Sequence, residues 1–313
     1  MSMPYAVPMR IVIAGGSGFL GASLAAHLAA NHHDLVILTR QPHPPDPRPP
    51  RTTYEPWDPN GHSGRWAKAL DNTDAVVNLA GESIAAKRWS TAQKQKIRES
   101  RLLATRSLTT AVREAAKPPR AFISGSAIGY YGDRGDETLT EVSAPGTDFL
   151  AEVCKDWEAA ANAAGDLTRV VLLRTGIVLH RTGGALPKML PPFYLFAGGP
   201  VGSGRQYQSW IHRDDWVRMV AWSVTSDPAR GPLNVTGPRP ITNKEFSTAL
   251  GHALRRPSVM PAPPFALRLA LGEMADALLL SSQRVLPVRA TDLGFAFRFA
   301  NIDEALADIF PTR

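Results

Sequence analysis

Cysteine is almost absent from this chain: Cys154 is the only one in 313 residues. No intrachain disulfide can form, and no cysteine cluster can hold zinc. No run of about 18 apolar residues occurs, which argues against a membrane span. The most apolar late stretch, Phe265 to Leu280, is broken by Arg268, Glu273 and Asp276, and no membrane partner is expected. Met1 to Met9 has neither a basic nor an apolar segment, so it does not read as a signal peptide. A cytoplasmic location is the expectation. Lysine is scarce, since 27 of the 35 basic residues are arginine, and the formal charge is +7. Such a charge raises nucleic-acid binding as a possibility. No basic cluster is interleaved with aromatics as a single-strand groove requires, so no nucleic-acid partner is expected. Hydrophobic residues at 44% and charged residues at 20% are ordinary for a globular protein. The length suits about two folding units.

The chain opens with a short β-branched run, Arg10 to Ala14, followed by a glycine turn from Gly15 to Gly21 and an alanine-rich, helix-prone stretch, Ala22 to Asn31. Leu35 to Leu38 is a second apolar run, so the start reads as a βαβ unit. Gln41 to Arg51 holds six prolines and reads as an irregular loop. Ala75 to Leu79, Ala121 to Ser124 and Val170 to Leu173 are buried-strand patterns, while Thr91 to Ala116 and Phe149 to Ala164 read as helices. This alternation predicts an α/β fold, a doubly wound parallel sheet with helices on both faces. After Gly176 glycine and proline become dense. Asp214 to Thr225 reads as a helix, Pro232 to Val235 as a strand, and Pro257 to Pro264 as a proline-rich joint.

The glycine turn is the strongest chemical signal. Gly15, Ser17, Gly18, Phe19, Leu20 and Gly21 follow a strand and open a helix. Glycine there permits a tight turn, close approach to a pyrophosphate and close helix–strand packing. The helix N-terminus then faces the phosphates. A ribose-binding acid is expected about 20 residues further on, at the end of the second strand. That place reads Leu38-Thr39-Arg40. A carboxylate would repel a 2′-phosphate, whereas Arg40 would pair with it. NADP(H) is therefore expected over NAD(H), with Thr39 and Arg40 at the adenosine end.

Gly15-x-x-Gly18-x-x-Gly21, Asn78-Leu79-Ala80-Gly81 and a strand ending in Ser124-Gly125-Ser126 resemble the extended short-chain dehydrogenase/reductases, which include sugar-nucleotide epimerases. Trp57-Asp58-Pro59, Lys87-Arg88-Trp89, Ser100-Arg101 with Thr105, Gly129-Tyr130-Tyr131-Gly132, Asp156-Trp157-Glu158 and Gly198-Gly199-Pro200 through Trp210-Ile211-His212 are similar to the epimerase-like branch that ends in a small C-terminal domain of unknown function. The resemblance implies a Rossmann-like NADP-binding domain, residues 9–178 and about 208–237, and a smaller substrate domain, about 179–207 and 238–313. It implies that Leu79, Ala80 and Gly81 run under the adenosine side, that Arg101 points to the cofactor, and that Val178 lines the nicotinamide end.

The departures concern catalysis. The family's Tyr-x-x-x-Lys puts a proton-trading phenol and a lysine on one helix face. None of the six tyrosines here has a lysine four residues on. Anchored on Trp157-Glu158, the missing pair falls near Leu150 and Cys154, and Lys155 is one position off. Ser126 stands where the family's serine sits and is expected to hydrogen-bond a substrate carbonyl, with Tyr130 or Tyr131 as acid/base. Gln208 replaces the arginine that grips a substrate diphosphate in sugar-nucleotide enzymes, and Arg205 is the nearest substitute. His212-x-Asp214-Asp215 has a metal-like look, but the same spacing fits a helix start, so no metal is expected. Two readings stand: an NADP(H)-dependent oxidoreductase or epimerase of a small hydroxyl or carbonyl substrate, or an NADPH-binding module that has lost catalysis. Besides a small-molecule substrate, the resemblance implies that Thr91 to Ala116 and Phe149 to Ala164 could pair two copies as a homodimer, although these helical faces carry no distinctive pattern.

Overall fold

A computed structural model describes residues 7–41 and 48–311. The centre of the proline-rich loop, residues 42–47, lies outside the described residues. In chain order the elements are β1 (Arg10–Ala14), α1 (Phe19–Ala30), β2 (Asp34–Thr39), β3 (Thr52–Pro56), β4 (Ala75–Asn78), α2 (Thr91–Glu114), β5 (Ala121–Ala127), β6 (Thr138–Leu139), α3 (Phe149–Asn162), β7 (Arg169–Thr175) and β8 (Ile177–Leu179). There follow α4 (Leu186–Tyr194), β9 (Tyr207–Gln208), β10 (Trp210–His212), α5 (Arg213–Thr225), β11 (Gly231–Val235), β12 (Ile241–Thr242), α6 (Asn243–Leu254), α7 (Pro264–Leu271) and α8 (Glu273–Ala275). The wider turn Asp276–Leu280, β13 (Arg284–Val285), α9 (Val288–Asp292) and α10 (Ile302–Ile309) complete the chain.

Seven strands form one parallel sheet in the order β11-β7-β5-β4-β1-β2-β3. The order reverses between β1 and β4, so the crevice beyond their carboxyl ends is where ligands bind in such sheets. The near-continuous apolar runs expected of a sheet covered on both faces split by alternation. Ile11, Ile13, Leu35, Ile37, Val77, Ile123 and Leu173 pack with Leu24 of α1 and Trp216 and Val220 of α5. Val12, Ala14, Val36, Leu38, Val76, Phe122 and Leu172 pack with Leu108 and Val112 of α2. A separate cluster joins Leu186, Leu190 and Phe193 of α4, Phe246 and Leu250 of α6, and Ile302 and Leu306 of α10. This is the Rossmann-like doubly wound architecture.

Ser90 and Asp148 cap α2 and α3 by accepting the Gln93 and Ala151 N–H groups. His212 caps α5 through the Asp214 N–H, and buried Asp215 accepts from the Arg298 and Phe299 amides and pairs with Arg218. The His-x-Asp-Asp segment thus serves the helix start and the C-terminal chain. Among the described residues no helix is long and apolar enough to cross a membrane.

Arg169 begins β7, is buried, and donates to the carbonyls of Ser223 and Val224 in the last turn of α5 and of Ala229 in the loop that follows. It ties the helix C-terminus to the sheet by charge-assisted bonds. Arg169→Met keeps the apolar bulk but strands three carbonyls. Urea unfolding should show a loss of about 3 kcal/mol; a change within about 0.5 kcal/mol would show the clamp to be unimportant.

Candidate functional site

The glycine turn sits at the carboxyl end of β1. Gly15 has φ +80°, and a Cβ there would lie 2.8 Å from the Leu79 carbonyl. A Cβ on Gly21 would collide with the Gly15 oxygen and the Gly16 backbone. The Gly18 N–H donates to the Gly15 carbonyl at 3.0 Å, and α1 begins at once with no side-chain cap and no acid in its first turn. Its first N–H groups therefore lack intrahelical acceptors and carry the positive end of the helix dipole. This is a cradle that only glycine permits, and its chemistry fits a phosphate. Ser17 is exposed beside it, and Phe19 packs under Gly183 and beside His180 at 5.6 Å between ring centroids. Leu20 packs on the sheet core. Arg40 stands exposed immediately after buried Thr39, at the end of β2.

The opposite lip is built by Asn78, which is fully buried. Its Nδ2 donates to Thr105 Oγ1 at 2.9 Å, and its Oδ1 accepts the Ala80 N–H. The Ser100 hydroxyl accepts the Glu82 N–H. Leu79, Ala80 and Gly81 are thereby held against α2. Arg101 packs on Gly81, donates to the Ile97 carbonyl and lies over the Trp157 indole at 5.2 Å. Burial lowers its pKa, and among the described residues no carboxylate pairs with it within 4.0 Å. A guanidinium so placed fits an anion supplied from outside the chain.

From Arg101 the groove opens into a cavity of about 280 Å³ between β5, α3, the β7–β8 corner and the segment 277–283. Its lining includes Ser126, Ile97, Trp157, Gln208, Leu278 and Leu279. Leu150 and Cys154 also line it, so the helix face expected to carry a tyrosine and a lysine presents an isobutyl group and a thiol. Burial pushes that thiol up to about 12. Lys155 and Arg205 are exposed, and neither lines the cavity. Val178 is buried just behind the β7–β8 corner. Two polar atoms in the wall, Trp157 Nε1 on α3 and Gln208 Oε1 on β9, are buried without a partner among the described residues; the sequence alone does not single out the indole.

The structure changes the catalytic expectations. The Ser126 hydroxyl donates to Glu158 Oε1 at 2.7 Å, and Glu158 is gripped by Arg174 through two bonds of 2.8 Å. Ser126 has its proton committed, so it is left as an acceptor rather than the donor to a carbonyl that was expected. Tyr131 is fully buried and absent from the cavity wall; its hydroxyl donates to Asn234 at 2.7 Å and accepts from Arg174 at 3.0 Å. Burial pushes its pKa up to about 12. Tyr131 as proton donor is therefore corrected: its phenol is locked into the core. Tyr130 is half-buried, lies with its ring 3.4 Å from the Arg174 guanidinium carbon, and does not line the cavity either. Glu158 and Arg174 were the unrecognised partners; the Trp157-Glu158 pair was the available signal.

The fold and this groove define a dinucleotide-fold α/β protein. Comparison with known proteins narrows the class. Residues 11–236 match the family model "NAD dependent epimerase/dehydratase family", and residues 262–309 match "Domain of unknown function (DUF1731)". The chain is 44% identical over 302 residues to the Epimerase family protein ML0860 of Mycobacterium leprae, covering 95% of this chain and 94% of that one. It is 36% identical over 304 residues to human Epimerase family protein SDR39U1, covering 96% and 99%. The crystal structure of that human protein (isoform 2) with NADPH superposes with a TM-score of 0.87 at 35% identity, covering 96% of this chain and 99% of that one. The chain belongs to the NAD dependent epimerase/dehydratase family.

Burial holds the Cys154 thiol well above the ordinary cysteine range, so it carries far less of the reactive thiolate at pH 8 than an exposed cysteine. Native protein should therefore resist a thiol-directed disulfide reagent at pH 8, and urea-unfolded protein should react at once. Rapid labelling of the folded chain would show an open, ionised thiol.

Proposed function

We propose that the chain binds NADP(H) along the groove and acts as an oxidoreductase or epimerase on a small hydroxyl- or carbonyl-bearing molecule held in the cavity. The observation that carries this reading is the uncapped glycine turn that opens α1, together with Arg40 and no carboxylate at the end of β2. The human relative crystallised with NADPH supports it. The N–H groups from Phe19 to Gly21 would take the phosphates, with Ser17 and Gly18 shaping the same turn. Thr39 and Arg40 would hold the 2′-phosphorylated ribose, and Leu79, Ala80 and Gly81 the adenosine side. Arg101 would neutralise phosphate charge, and Val178 would back the nicotinamide. When bound, the cofactor supplies or accepts a hydride at nicotinamide C4. Ser126, oriented by Glu158, would accept a hydrogen bond from a substrate hydroxyl. Gln208 and Trp157 would satisfy one further polar group of the substrate. The wall has no cation matching a diphosphate beyond Arg101, which favours a substrate without one.

A second reading has its own observation. Leu150 and Cys154 leave the cavity without the family's proton-trading pair, which favours a protein that holds NADPH as a structural or sensing ligand. Reduction of bound NADP+ by a panel of hydroxyl substrates, lost in Ser126→Ala, supports the enzyme; no turnover with tight binding supports the module.

Isothermal titration separates both from a vestigial groove. Wild type should prefer NADPH to NADH, and Arg40→Ala should weaken NADPH about tenfold or more, the scale of one lost charge-assisted contact, while leaving NADH unchanged. Binding of neither nucleotide would end the proposal.

A further inference from the structure

Outside the groove, one surface is unusually apolar. Among the described residues ten large hydrophobic side chains are exposed, and seven of them, Tyr194, Leu195, Phe196, Val259, Met260, Phe265 and Leu269, come from two short segments. Those segments are stitched together. The Met260 N–H donates to the Gly198 carbonyl and the Ala262 N–H to the Pro200 carbonyl, and the Arg256 guanidinium lies 4.7 Å from the Phe196 ring. α7 follows directly and has no buried residue at all. Phe265 and Leu269, one turn apart, are 73% and 78% exposed. Phe196 is held at φ +59°, a costly backbone for a bulky residue, with its ring largely in solvent. Contiguous apolar surface of this kind marks an interaction site.

The charges around it identify the occupant. Residues 167–213 and 246–272 contain no aspartate or glutamate. Arg255 and Arg256 rim one side of the patch, and neither pairs with a carboxylate within 4.0 Å among the described residues; at the far end of α7 the charges are neutralised, Arg268 by Asp276 and Glu273 by Lys94. A two-fold copy of the same surface would bring a second pair of the same arginines and no carboxylate from residues 246–272 to meet them. The α2–α3 face, where pairing between copies was expected, exposes none of the ten large apolar side chains. An apolar ridge rimmed by unpaired arginines is instead complementary to a negatively charged bilayer, with Phe and Leu entering the acyl boundary and arginine meeting the headgroups.

We propose that the surface formed by residues 194–196, 255–260 and α7 docks the protein reversibly on anionic phospholipid membranes. This contact lies on the membrane rather than across it. It revises the expectation of no membrane partner, which rested on the lack of a spanning run. It does not depend on the proposed cofactor.

The test is co-sedimentation of the full chain with vesicles of phosphatidylcholine alone and of phosphatidylcholine with phosphatidylglycerol, together with light scattering to fix the oligomeric state. Binding should require phosphatidylglycerol and weaken with salt. The double variant Arg255→Gln/Arg256→Gln should lower affinity about thirtyfold, at about 1 kcal/mol per basic residue. Phe265→Ser/Leu269→Ser should abolish binding with unchanged thermal stability, because both side chains are exposed. No vesicle binding by wild type overturns the proposal. So does a dimer that Phe265→Ser/Leu269→Ser dissociates, since the patch would then be a protein interface.

Discussion

The structure depends on one close approach: the backbone of Gly15 against that of Leu79, where the strand order reverses between β1 and β4. A Cβ at Gly15 would come 2.8 Å from the Leu79 carbonyl, and one at Gly21 would collide with Gly15 itself. Because neither exists, α1 starts hard against the sheet with its first amides unpaired. Asn78 and Thr105 lock the facing lip, and Arg101 lies over it. The first lip of the groove therefore rests on atoms that are missing from glycine. The consequence is a set of unpaired amides at a helix start, whose chemistry suits an anion.

Behind the groove runs a buried polar chain: Ser126 to Glu158, Glu158 to Arg174, Arg174 to Tyr131, Tyr131 to Asn234. Every member is satisfied, so the network rigidifies β5, α3, β7 and β11 around the cavity. It also decides chemistry. It takes the Ser126 proton and the Tyr131 phenol out of play, leaving an apolar cavity with an acceptor serine and two unpartnered polar atoms. In a family whose usual proton donor sits on α3, this chain keeps the scaffold and exchanges the reactive face.

How much of this was legible depended on the range of the interaction. β1 and the glycine turn follow from local rules, and α2 and α3 were recognisable to within two residues because caps and amphipathicity are local. β3, Thr-Thr-Tyr-Glu-Pro, was not seen: it is an edge strand, half-exposed and ending in proline, so it carries no buried-strand pattern. α10 is only eight residues long, and its apolar face is visible only once it meets α6. The glycine turn and the place of Leu150 and Cys154 could be read from spacing. The fate of Tyr131 could not, because a short helical turn at Ile128–Tyr131 aims its ring inward toward Asn234, 103 residues away. Ser126 was found as a residue, but its hydrogen-bond polarity is set by Glu158 and Arg174, which only the packing of α3 on β7 brings to it.

The most direct test of the account is a crystal structure of the chain with NADPH. It predicts the 2′-phosphate within hydrogen-bonding distance of Arg40, the pyrophosphate on the first turn of α1, and the nicotinamide entering the cavity beside Ser126, Leu150 and Cys154. A cofactor that leaves Arg40 in solvent, or a nicotinamide held outside that cavity, would contradict it.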